Sequence, residues 1–181
     1  IILYPARLTA WKGQIDILNV ARKIAKDNLI IYFVGDAKNI SFYNLLQKKI
    51  SDTNLENICK ILGNLTTKEL KIMYFISDLI LSTPNKPEGF GRIISEALSM
   101  KKMILAFNYG GVKDQLNRLD SIYKAEPLNY DILDQKINTI LSLSKEEKNN
   151  LSIKGREHVV KFFSKKEMVY NYKNFYESKA I

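Results

Sequence analysis

The sequence predicts an α/β fold, a Rossmann-like parallel sheet of about six strands with helices on both faces. Three observations predict it. Short apolar runs rich in Ile, Leu, Val and Phe recur without polar alternation, as strands buried on both faces require. Segments with apolar residues at helical spacing lie between them. Strand and helix alternate, which is the pattern of parallel strands joined by right-handed crossovers.

Each element follows in order. "IILYPA" (1–6) reads as a short buried strand. Residues 14–26 carry Ile15, Ile17, Leu18, Ala21, Ile24 and Ala25 at helical spacing. "LIIYFVG" (29–35) is a β-branched and aromatic run ending in glycine, and reads as a strand. "SFYNLLQKKI" (41–50) reads as a helix with Ser41 placed to cap it. "NICKILG" (57–63) is a strand, and "TKELKIMYFI" (67–76) a helix capped by Thr66 or Thr67. "DLILST" (78–83) is a strand, 90–100 a helix, "MILAF" (103–107) a strand, and "SIYKA" (121–125) a last short strand. Three helices close the chain, at about 128–142, 145–162 and 165–179. The last places Met168, Val169, Tyr172, Phe175 and Tyr176 on one stripe.

Composition narrows the function classes. At 181 residues the chain can build one full core. No apolar run has the length of a membrane span. The first residues lack a basic region and a cleavage site, so no secretory signal is read there. There is also no initiator Met, and Ile1–Leu3 read as a strand already under way, which is expected of a piece of a longer chain. Cys59 is the only cysteine and His158 the only histidine, which rules out an internal disulfide and argues against a His/Cys zinc site. A reducing cytoplasm is the expected location.

The formal net charge of +9 invites a nucleic-acid reading. Yet only Arg7, Arg22, Arg92, Arg118 and Arg156 are arginines, and the lysines are scattered through an Asn- and Ile-rich sequence. A solvated basic surface is the simpler reading. Attraction to acidic lipid headgroups or to phosphate ligands stays open.

In open parallel sheets ligands bind beyond the carboxyl ends of the strands, so the turns after strands carry the candidate chemistry. In "RLTAWKG" (7–13), Arg7 and Lys12 flank Trp11, and two cations at that edge suit a diphosphate as well as solvent. In "VGDA", Gly35 is either a tight turn or a phosphate approach. Ala37 stands where a dinucleotide fingerprint needs glycine, and the chain has no P-loop motif. In "PEGFGRIISEAL" (87–98), Gly89, Phe90 and Gly91 lead into a helix whose first amides form an anion site. Glu88 precedes that helix and Glu96 lies about one turn inside it. Glu96 falls among Ile93, Ala97 and Leu98, where a carboxylate needs donors. "NYGGVKD" (108–114) places paired glycines before another helix.

Taken together, R-x4-K-G after the first strand, E-G-F-G within E-x7-E, G-G-x-x-D and the late "FFSKKE" resemble the retaining GT-B glycosyltransferases of family 4. The resemblance runs in order over nearly the whole chain, and is to the C-terminal, nucleotide-sugar-binding half of that fold. It implies a donor-binding domain over 1–163, and a helix at 164–181 that crosses towards an N-terminal half.

Roles follow from the resemblance. Arg7 and Lys12 would neutralise the donor diphosphate, which is also the leaving group, and Glu88 would hold hydroxyls of the donor sugar. The backbone at Gly89, Phe90, Gly91, Arg92 and Ile93 would lie along sugar and phosphates. Glu96 would accept from the ribose, and Ile61 to Asn64, with Gly63 among them, would line the base pocket. Gly35 joins this donor set.

The resemblance further implies a nucleotide-diphosphate sugar as donor, no cofactor, metal-independent transfer with retention, and no nucleic-acid partner. A cell-envelope glycan or lipid-linked acceptor would be held by the other half, at the cytoplasmic face of the membrane. Arg92 in place of an aliphatic residue, Asp114 in place of a common Glu, and a turn without glycine at 117–127 depart from the family pattern. A non-catalytic nucleotide-sugar-binding module, completed by a partner subunit, is the alternative. On either reading this piece alone is expected to bind donor weakly and to transfer nothing.

Overall fold

The computed structural model describes residues 1–24 and 28–178. Its six strands are β1 (Ile2–Pro5), β2 (Ile31–Val34), β3 (Cys59–Gly63), β4 (Leu79–Ser82), β5 (Ile104–Phe107) and β6 (Lys124–Ala125). All pairings are parallel, in the order β3-β2-β1-β4-β5-β6. The order reverses at β1, which pairs with both β2 and β4. At that switch point the connections leave in opposite directions and a crevice opens.

Eight α-helices accompany the sheet among the described residues: α1 (Gln14–Ile24), α2 (Ile40–Asp52), α3 (Thr67–Ile76), α4 (Arg92–Ser99), α5 (Gly111–Leu116), α6 (Tyr130–Ser142), α7 (Lys145–Phe163) and α8 (Lys165–Ser178). α1 packs with α2 and α6, whereas α4 packs with α5 and α7, so two helix layers enclose the strands. β1, β4 and β5 are buried along their whole length, which is why their sequences show no polar alternation. β3 lies at one edge and leaves Lys60 and Leu62 exposed. Its Cys59 thiol is pushed up to about 12 by burial, which keeps it protonated and inert.

The helix predicted for 14–26 is described as far as Ile24; Ala25 and Lys26 lie outside the described residues, as does position 179 of the last helix.

Several boundaries differ from the sequence expectation, each for a local reason. Asn39, not Ser41, caps α2: its Oδ1 accepts from the Phe42 amide at 3.0 Å, which leaves Ser41 inside the first turn. Thr66 caps α3 in a reciprocal box with Glu69. α4 starts at Arg92 because Gly91 is left-handed, at φ 73°. Of the strand expected at 121–125, only Lys124 and Ala125 pair with β5. Residues 121–123 form a 3-10 turn, held by Asp120 accepting from the Ile122 amide at 2.9 Å. No described helix is long and apolar enough to cross a membrane. α8 buries none of its described residues and exposes Met168, Val169, Tyr172 and Tyr176.

Candidate active site

A cleft of about 660 Å³ opens over the carboxyl ends of the central strands. Its wall brings together Arg7, Lys12, Gly35, Glu88, Gly89, Phe90, Gly91, Arg92, Ile93 and Glu96. These come from turns after β1, β2 and β4 and from the start of α4, up to 89 residues apart in sequence, which the switch point between β1 and β4 collects at one edge.

The first turn is held from below. The Tyr4 hydroxyl, 1% exposed, bonds to the Lys12 carbonyl and lies 2.9 Å from Thr83 Oγ1. Gln14 Nε2 donates to the Arg7 carbonyl at 2.8 Å. Strand ends and turn are thereby tied together beneath the two cations. The Lys12 ammonium lies 4.2 Å from the Trp11 ring centroid and forms an ion pair with Glu88, both side chains being 11% exposed. Burial, and secondarily the Arg7 guanidinium, lower the Lys12 pKa to about 8. Below that pH the ammonium is charged and Glu88 is its counter-charge.

The 83–91 loop is fixed from two sides. The Asn85 amide N–H donates to the Trp11 carbonyl at 2.7 Å, and its side chain bridges Asp16 of α1 (2.8 Å) and the Tyr130 hydroxyl of α6 (3.1 Å). From behind, the paired glycines of "NYGG" come into backbone contact with the loop. The Gly111 N–H donates to the Glu88 carbonyl at 2.8 Å. A Cβ on Gly111 would stand 2.0 Å from the Gly89 oxygen, and one on Gly110 2.5 Å from the Glu88 oxygen. Only residues without side chains allow this approach. That gives both glycines the contact the sequence alone left unassigned. No side chain caps α4, and its first residues, Arg92 and Ile93, lie in the cleft wall. The Phe90 ring is 46% exposed and packs 6.2 Å from that of Phe163.

Glu96 stands half-buried one turn into α4. It has a donor in the protein itself: the Tyr74 hydroxyl at 3.0 Å from Oε2. Burial, and then the Glu96 carboxylate, drive the Tyr74 pKa upward, so the phenol remains a donor. Ile61 and Gly63 do not reach the cleft wall. Ile61 packs against the core, and the Gly63 carbonyl is taken by the Gly35 N–H at 2.8 Å. Asn64, Leu65 and Leu70 form the wall at that end instead.

A parallel-sheet cleft with two cations, an uncapped helix start and two carboxylates makes this a Rossmann-like ligand-binding domain. Residues 1–158 match the family described as glycosyl transferases group 1, and the chain belongs to that family. It is 25% identical over 171 residues to the lipopolysaccharide 1,2-N-acetylglucosaminetransferase of Salmonella typhimurium, covering 91% of this chain and 44% of that protein. A glycosyltransferase from Rickettsia africae superposes with a TM-score of 0.89 at 31% identity, over 99% of this chain and 48% of that one. HepE from Anabaena, solved with UDP and glucose, superposes at 0.84 with 21% identity over the same shares. The chain thus spans less than half the length of these relatives.

Proposed function

We propose that this chain is the donor-binding half of a glycosyltransferase that moves a sugar, with retention, from a nucleotide-diphosphate sugar to a cell-envelope glycan or lipid-linked acceptor. One observation carries the reading. Two cations, an uncapped helix start and two carboxylates line one cleft. Breaking the sugar–diphosphate bond leaves negative charge on phosphate. Lys12, held against Glu88, and the α4 amides are in place before the reaction, with Arg7 on the same wall, and stabilise that charge at little reorganisation cost. Because they supply the positive charge, the reading is metal-independent and needs no cofactor.

Glu88 is already engaged by Lys12, which suits a ligand anchor better than a free general base. Glu96, with one oxygen fixed by Tyr74, has the other for ribose hydroxyls. The acceptor and the remaining catalytic groups belong to another half, towards which α8 crosses. Transfer takes place at the cytoplasmic face of the membrane. The 181-residue chain alone binds donor weakly and transfers nothing.

Calorimetric titration with UDP-, GDP- and ADP-sugars tests this. One of them should bind, and Glu96→Ala and Lys12→Ala should each weaken it. Absence of binding across the whole panel would overturn the reading.

A further inference from the structure

We propose that Gln115 is a positioning residue for the donor diphosphate: from behind the 88–91 loop it fixes the peptide planes whose opposite edges carry the cleft-facing amides. The inference rests on the donor-binding reading above and adds to it a residue that does not touch the ligand.

The geometry begins with the peptide unit. It is planar and trans, so the carbonyl of one residue and the N–H of the next point in opposite directions. Gln115 Nε2 donates to the Phe90 carbonyl and, at 3.3 Å, to the Gly91 carbonyl. The Gly111 N–H takes the Glu88 carbonyl at 2.8 Å. With the Glu88 and Phe90 carbonyls drawn back towards α5, and the Gly91 carbonyl shared between Gln115 and the Ile94 N–H at 3.0 Å, the N–H groups of Gly89, Gly91 and Arg92 are turned the other way. Those three residues line the cleft.

Gln115 is itself held. Its Oε1 accepts from Ser95 Oγ at 2.6 Å, which fixes which end of the amide faces the loop. Its own carbonyl pairs with His158 Nε2 of α7 at 2.7 Å. The residue is 1% exposed, and its neighbours Val112 and Leu116 in α5 are buried apolar side chains. An amide in that layer is costly unless every polar atom is paired. Here the pairing goes to the donor loop and to α4, the two elements that present the anion site.

The test compares binding of a nucleoside diphosphate with binding of the matching nucleoside, which keeps base and ribose but lacks the phosphates. Gln115→Leu keeps the volume and removes both donors. The expected result is about a tenfold loss of diphosphate affinity, the scale of one buried hydrogen bond, with nucleoside affinity changed less than about twofold. An equal loss for both ligands, or no loss for either in a folded variant, overturns the proposal. Where Gln115→Leu does not fold, Ser95→Ala is the second variant. It leaves Gln115 in place but frees its amide to rotate, and should lower the same ratio by about threefold. An unchanged ratio there also overturns the proposal. If the unmodified protein binds the nucleoside but no nucleoside diphosphate, the donor reading fails. If it binds both and the ratio does not move, only the role of Gln115 fails.

Discussion

The Tyr74 hydroxyl donates to Glu96 Oε2 at 3.0 Å and so joins α3 to α4 beside the cleft. On the proposed donor-binding reading, the second carboxylate oxygen is the one to meet a ribose hydroxyl. Tyr74→Phe should therefore weaken discrimination between a ribonucleoside diphosphate and its 2′-deoxy form without abolishing binding. A hydrogen bond to a charged group is worth about 1.5–3 kcal/mol, and a fraction of that should appear as a several-fold fall in the ratio. Glu96→Ala should bring the ratio close to one. Paired titrations of the two nucleotides measure it.

Lys12 sets a pH limit. Its free-state pKa is lowered to about 8, and on the proposed donor-binding reading the diphosphate needs the ammonium form. Below that pH the charge is present and affinity is full. As pH rises through about 8 the unliganded site loses its proton and affinity falls. A bound diphosphate favours the charged form, so binding there must take up protons, which calorimetry in two buffers of different ionisation enthalpy detects. Lys12→Arg stays charged and should remove the inflection.

Removing Lys12 altogether has two effects. The diphosphate loses a cation, and Glu88, 11% exposed, loses its ion-pair partner. Lys12→Ala should lower donor affinity by one to two orders of magnitude, about 1.4–3 kcal/mol. Addition of EDTA to the unmodified protein should leave donor affinity unchanged.

Gly111→Ala tests the support behind the loop. The new methyl would meet the Gly89 oxygen at 2.0 Å, a contact with backbone that no side-chain rotation relieves. A stability loss of about 1–3 kcal/mol is expected. In a domain of this size each kcal/mol shifts the melting temperature by about 2–4 °C. Donor affinity should fall as well, whereas Gly89→Ala, whose Cβ would meet nothing within 4 Å, should leave the melting temperature close to that of the parent.

The periodicities made the sheet legible because β1, β2, β4 and β5 are buried runs that only a doubly covered sheet accommodates. The cleft was legible where glycine or charge stood at a strand end, as at Lys12, Glu88 and Gly91. The sequence was less informative where a distant partner decides. Ser121–Tyr123 has the composition of a strand, but Tyr123 donates its hydroxyl to the Leu151 carbonyl at 2.7 Å and Asp120 caps the turn. Ile61 and Gly63 stop short of the cleft because β3 is the edge strand, and the chain reaches the wall only from Asn64 onwards. Tyr74 and Gln115 escaped notice because each sits in the apolar stripe of its own helix. The available signal was the polar group itself, which such a stripe tolerates only when a partner awaits it.

β1 lies inside the sheet, paired with β2 on one side and β4 on the other. Ile2 stands opposite Ile31 on one side and Leu79 on the other. One half of the sheet carries Gly35, the other leads to Glu88 and Glu96, and four residues zip them together. Completion of the binding face therefore waits on a pairing 77 residues apart in sequence, a non-local closure of the kind that slows folding. A lesion confined to residues 2–5 would leave two half-sheets, each with part of the cleft wall.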